Sequence, residues 1–156
     1  MFWFWKKDTA LRKAITFYYS KIDVVQGINN WGCLCWAYAV YLKLKQRGYD
    51  VSDIRLVQLW KIDDNINNNK QFLKGNNKTA TSDSHFWLSI GRFSTIFDSE
   101  WILLRGYKYK LFIKSKDIKK FTASALKEGG WNDCFNRRRG VKEINSILKI
   151  KMGTHM

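Results

Sequence analysis

Trp31-Gly32-Cys33-Leu34-Cys35-Trp36-Ala37-Tyr38-Ala39-Val40 carries the strongest structural signal in the chain. It opens an apolar run that lasts to Leu44 and meets Gly48. The spacing predicts a helix from Cys35 to Arg47, stopped by that glycine. Ala37, Ala39, Val40, Leu42 and Leu44 leave only one narrow polar edge, so the helix is expected to be mostly buried. A cysteine at the start of such a helix feels the positive end of the dipole, which favours the thiolate. The small Ala37 and Ala39 would let a sheet approach the first turn closely. Taken alone, Cys33 and Cys35 read as ordinary core residues, because free cysteine is among the most buried types.

The residues downstream change that weighting. Ile54 to Trp60 alternates and is rich in branched and aromatic side chains, which predicts a strand. Ser84-His85-Phe86-Trp87-Leu88-Ser89-Ile90 and Phe93-Ser94-Thr95-Ile96-Phe97-Asp98 predict two more. Between them stand Gly91 and Arg92, a glycine-first pair suited to a type II′ hairpin turn. Counted outward from that turn, Leu88 faces Thr95, Phe86 faces Phe97, and His85 falls opposite Asp98. Opposed residues share a face with Cβ atoms about 5 Å apart. The carboxylate would then hold the imidazole in one tautomer, and a one-residue slip would lose the arrangement. Cysteine, histidine and aspartate in this order are the parts of a thiol nucleophile, its base and the base's orienter.

The flanks complete an α+β outline. Asp8 is placed to cap a first helix carrying Leu11, Ala14, Ile15 and Tyr18 on one face. Phe2 to Trp5 are expected to fold back onto the core, since four exposed aromatics would be a liability. Gln26 to Asn30 form a polar break before the cysteine stretch. Asp63 to Ser84 is polar, Asn-rich and aperiodic, a loop that ends at His85 and would suit a lid or a substrate contact. Trp101 to Leu104 and Tyr107 to Ile113 continue the sheet. Ser115 is expected to cap a helix with Ile118, Phe121 and Ala125. A last helix carries Val141, Ile144, Ile147 and Leu148, and Cys134 reads as packing.

Composition bounds the function. The chain has 156 residues, 46% hydrophobic and 16% aromatic, which suits one folded domain and excludes a disordered chain. The domain is drawn from 1 to 152, with 153–156 as a tail. No stretch approaches the roughly 20 apolar residues that span a bilayer. The apolar-then-basic start, Met1 to Lys7, is the reverse of a secretory signal. Three cysteines cannot all pair, and their spacing does not suit zinc. A reducing, cytoplasmic setting without metal or cofactor is therefore expected. The net charge of +15 admits an acidic protein, an envelope polymer or nucleic acid as partner. The basic residues are spread along the chain, which favours plain surface solvation and places nucleic acid behind an acidic substrate. The one dense cluster is Arg137-Arg138-Arg139.

Gly32-Cys33-Leu34-Cys35-Trp36-Ala37-Tyr38-Ala39 resembles the Cys-Trp-Ala-Phe stretch of papain-type proteases and the Gly-x-Cys-Trp-x-Phe-Ala of animal transglutaminases. Ser84-His85-Phe86-Trp87-Leu88 resembles the His-x-Trp strand of transglutaminase-like enzymes, and Phe97-Asp98-Ser99 their aspartate strand. The resemblance to the papain-like/transglutaminase-like cysteine enzymes covers roughly Gln26 to Trp101. It implies an α+β fold in which a buried, cysteine-led helix packs on a small antiparallel sheet with flanking helices. It also implies acyl transfer from an amide through a thioester, as protease, amidase or deamidase, or transglutaminase. Cys35 is the expected nucleophile because tryptophan follows it. Helix length counted back from Gly48 favours Cys33 instead, as in bacterial transglutaminase-like proteins. His85 would be the base and Asp98 its orienter. Asn29, six residues before Cys35, stands where papain-type proteases carry an oxyanion glutamine, with Gln26 nearby. Trp36 and Trp87 are candidates to contact substrate. Two departures stand out: Cys33 occupies the family's glycine position, and the Arg-Gly-Gly lead-in of arylamine N-acetyltransferases is missing. The competing class is a basic binding module without catalysis, whose aromatics stack on bases while lysines contact phosphates. An inactivated relative kept as an interaction scaffold is the third.

Overall fold

A computed structural model describes residues 2–21, 32–61, 84–91, 96–97, 107–128 and 137–153. Within them four α-helices lie with a four-stranded antiparallel sheet, an α+β arrangement. Helix α1 spans Phe2–Tyr19. Neither proline nor glycine interrupts it, so it winds straight through Asp8, which is an interior residue and not a cap. Phe2 to Trp5 form its first turn. Leu11, Ala14, Ile15 and Tyr19 form its buried stripe.

Helix α2 spans Cys33–Gln46. It starts two residues before the expected Cys35 because Gly32 already holds helical angles, φ −85 and ψ −10. Its end is the one the sequence predicts. Gly48 takes φ +82, its N–H donates to the Lys45 carbonyl at 3.0 Å, and the Tyr49 N–H donates to Leu44 at 3.1 Å. These two bonds make a Schellman motif that only glycine enters without strain. All residues from Cys33 to Tyr41 are buried, as is Leu44. Complete burial of aliphatic side chains of this size contributes about 2 kcal/mol each, which makes α2 the axis of the core.

The sheet runs in the order β3-β2-β1-β4, with β1 at Ile54–Lys61, β2 at Ser84–Ile90, β3 at Ile96–Phe97 and β4 at Tyr107–Lys114. In β1–β2, Ile54 pairs with Ile90, Leu56 with Leu88 and Gln58 with Phe86. Leu56 also faces Ile113 of β4. This row joins α2 in one hydrophobic cluster. Strand alternation puts Val57, Trp87 and Ser89 in the other row, and all three are buried too. Both faces of the central pair are therefore closed to water at these positions.

The hairpin after β2 differs from the expected one. β3 begins only at Ile96, and Leu88 pairs with Phe97 and Ser89 with Ile96. The pairing therefore lies two residues out of the expected register, while Gly91, at φ +67, donates its N–H to the Asp53 carbonyl at 2.7 Å and extends the ladder of β2 with β1. Ser115 is a second correction. It opens a 3-10 turn, Ser115–Asp117, and its hydroxyl lies 3.0 Å from that of Tyr41, with no cap bond made at this turn.

Helix α3 spans Ile118–Glu128 and α4 spans Arg137–Leu148. Ile118, Ala125, Leu126, Val141, Ile144 and Leu148 are buried, in line with their helical spacing. Past α4 the chain turns back, and Ile150 and Met152 add to the core. Gln46 of α2 donates to the Lys149 carbonyl at 3.2 Å, which ties α4 to α2. Among the described residues no helix is long and apolar enough to cross a membrane. The expected loop from Asp63, the strand Trp101 to Leu104, the polar break before Trp31 and Cys134 lie outside the described residues.

Candidate active site

Chain direction decides which residues can meet. α2 and β1 are joined by the short link 47–53, so the two run in opposite senses, and β2, antiparallel to β1, runs with α2. The second half of α2 lies at the Ile54 end of the sheet, because the Tyr41 hydroxyl donates to the Ser115 carbonyl just past β4. At 1.5 Å per residue, the 14 residues of α2 cover about 21 Å, close to the length of a seven-residue strand. The start of α2, with its two cysteines, is the end of the helix farther from that Tyr41–Ser115 contact.

The two cysteines differ in position along the helix. Cys33 is its first residue and 6% exposed, while Cys35 is in the third position and 0% exposed. Neither is in a disulfide. Gly32 supplies no capping side chain, and the first turn contains no acidic residue. The positive end of the helix dipole is thus neither capped by a side chain nor offset by a carboxylate where Cys33 sits.

His85 stands in β2 opposite Leu59 of β1. Alternation places position 85 in the row of Trp87 and Ser89, not in the Phe86–Leu88–Ile90 row that joins α2. The expected opposition of His85 and Asp98 requires Thr95 across from Leu88, and Phe97 occupies that place. Asp98 itself, with the oxyanion candidates Asn29 and Gln26, lies outside the described residues. Trp36 and Trp87 are both 0% exposed, so neither ring offers a face to a substrate in this structure. Trp36 meets Tyr19 edge-on at 6.5 Å, a packing contact between α2 and α1. Among the described residues no group of three or more His, Cys, Asp or Glu could hold a metal.

One feature at the opposite end of α2 was not legible in the sequence. A cleft of about 580 Å³ is lined by Tyr41 and Lys45 of α2, Tyr49, Arg55 of β1, Lys114 and Lys116. Arg55 and Lys114 are paired across β1 and β4, but nothing in the one-dimensional sequence links residues so far apart. No protein-family model, no curated protein and no solved structure matches the chain.

Proposed function

We propose that this chain is a cysteine-dependent acyl-transfer enzyme of the papain-like/transglutaminase-like kind, acting on an amide of a protein or peptide. The observation that carries it is the frame of α2, a buried helix opened by Cys33 and closed by Gly48. That frame favours Cys33 over Cys35 as the attacking sulfur. Cys33 alone holds the first helical position, and it is the less completely buried of the two.

In this mechanism the Cys33 thiolate attacks the amide carbonyl carbon, and its proton has passed to His85. The oxyanion takes hydrogen bonds from N–H groups at the start of α2, with Asn29 or Gln26 as side-chain donors. Collapse of the tetrahedral intermediate breaks the C–N bond, and His85 returns the proton to the leaving amine. Water or a second amine then attacks the thioester and restores the thiol.

A peptidyl vinyl sulfone tests the proposal, with adducts located by peptide mapping. A single adduct on Cys33, abolished by His85→Ala and retained in Cys35→Ala, is expected. An adduct whose rate ignores His85 would overturn it.

A further inference from the structure

We infer that the cleft at the far end of α2 is a binding site for a short single-stranded stretch of nucleic acid. It stands apart from the cysteines, since Lys45 is twelve residues beyond Cys33, about 18 Å along the helix. The inference does not depend on the proposed chemistry.

Charge is the first ground. Lys45, Arg55, Lys114 and Lys116 line the cleft against one carboxylate, Asp50. The Asp50 carboxylate accepts the Ser52 N–H at 3.0 Å. Among the described residues none of the three lysines is in a salt bridge. The Arg55 guanidinium donates to the carbonyls of Ser52 and Ile54, at 3.0 and 3.2 Å. Cations converging on one cleft are suited to the phosphates of a backbone.

The second ground is the aromatic ring among them. Tyr49 is 37% exposed, and it lies directly past the Gly48 turn whose two hydrogen bonds fix its backbone. An exposed ring beside cations offers a stacking platform to a base while the lysines take the adjoining phosphates. Tyr41 is different. It is buried, bonded to Ser115 and covered by Lys45 at 5.6 Å, so it forms the floor. An acidic peptide would use the cations but has no need of the exposed ring, which is why nucleic acid is the favoured occupant.

The test is fluorescence anisotropy of the full chain with a labelled deoxythymidine oligomer across a salt series. Each phosphate contact on a single strand adds about −0.7 to the slope of log K against log salt. Changing Lys45, Lys114 and Lys116 together to Gln should therefore reduce the slope by about 2. The same loss of charge elsewhere, at Lys13, Arg138 and Lys142, should leave most of it. Tyr49→Ala should weaken binding about tenfold, and Tyr49→Phe should not. Equal effects of the two triple variants would overturn the site, as would Tyr49→Ala binding like the parent. Polyglutamate that binds as tightly as the oligomer, with no response to Tyr49→Ala, would overturn the choice of nucleic acid.

Discussion

Asn145 holds the segment past α4 to that helix, and its removal should loosen the packing of Ile150 and Met152. Its Nδ2 donates to the Met152 carbonyl and its Oδ1 accepts the Met152 N–H, both at 2.9 Å. This two-point clasp sets Ile150 and Met152, 8% and 4% exposed, into the core. Asn145→Ala removes two part-buried hydrogen bonds at roughly 1 kcal/mol each, so it should cost about 2 kcal/mol. For a chain of this size that is a fall in Tm of about 4–8 °C. Asn145→Asp separates the two halves of the clasp. It keeps an acceptor for the N–H but turns a second, charged oxygen toward the Met152 carbonyl. Near neutral pH it should cost at least as much as Asn145→Ala. The folded-state pKa of that new carboxyl is raised, because the clasp favours its protonated, donating form. Its deficit should therefore shrink as pH falls through the carboxyl range around 4. Urea denaturation of the parent and both variants at pH 4 and 7 reads these differences. Asn145→Ala within about 0.5 kcal/mol of the parent, or an Asp variant indifferent to pH, would refute the clasp.

Two further outcomes follow from backbone geometry and from burial. Lys149 sits at φ 54, past α4, while the Ile150 N–H donates to the Asn145 carbonyl at 3.1 Å. This is the helix-ending position that favours glycine, so Lys149→Gly should stabilise by about 1 kcal/mol, raising Tm by about 3 °C. A loss of stability would contradict the strain. The Tyr38 phenol is held above its ordinary value, first by burial and second by neighbouring Tyr41. The unfolded phenol ionises near pH 10, so this contribution is whole below about pH 10 and is lost as pH rises through the folded value. Absorbance titration of the parent against Tyr38→Phe should show the missing phenol to be a late-titrating one. If it titrates at the ordinary value, Tyr38 is not desolvated.

What the sequence made legible is what periodicity controls. The apolar run from Cys33 to Leu44 and the glycine after it set α2 to within two residues, because core burial and a left-handed cap leave few alternatives. The alternation in Ile54 to Trp60 and in Ser84 to Ile90 gave the strands and their rows. Pairing between strands was harder. A glycine after β2 suits hairpin loops of more than one length, so the residue type leaves the register open. Asp8 carried a cap signal that lost to an uninterrupted helix, since a capping residue does not stop a helix that can start earlier. The basic cleft had no sequence signal at all. It exists only because β1 and β4 pair side by side and α2 ends against them, which brings Lys45, Arg55 and Lys114 together.

An activated thiol at the start of α2 would reveal itself in labelling chemistry. Limiting iodoacetamide at pH 6, followed by peptide mapping of Cys33, Cys35 and Cys134, would be run on the parent and on His85→Ala. An ordinary thiol of pKa about 8.5 is almost wholly protonated at that pH, so speed reports activation. Fast labelling confined to Cys33, slowed about tenfold or more by His85→Ala, is the predicted result. Slow and uniform labelling of the three cysteines, unchanged by the substitution, would contradict it.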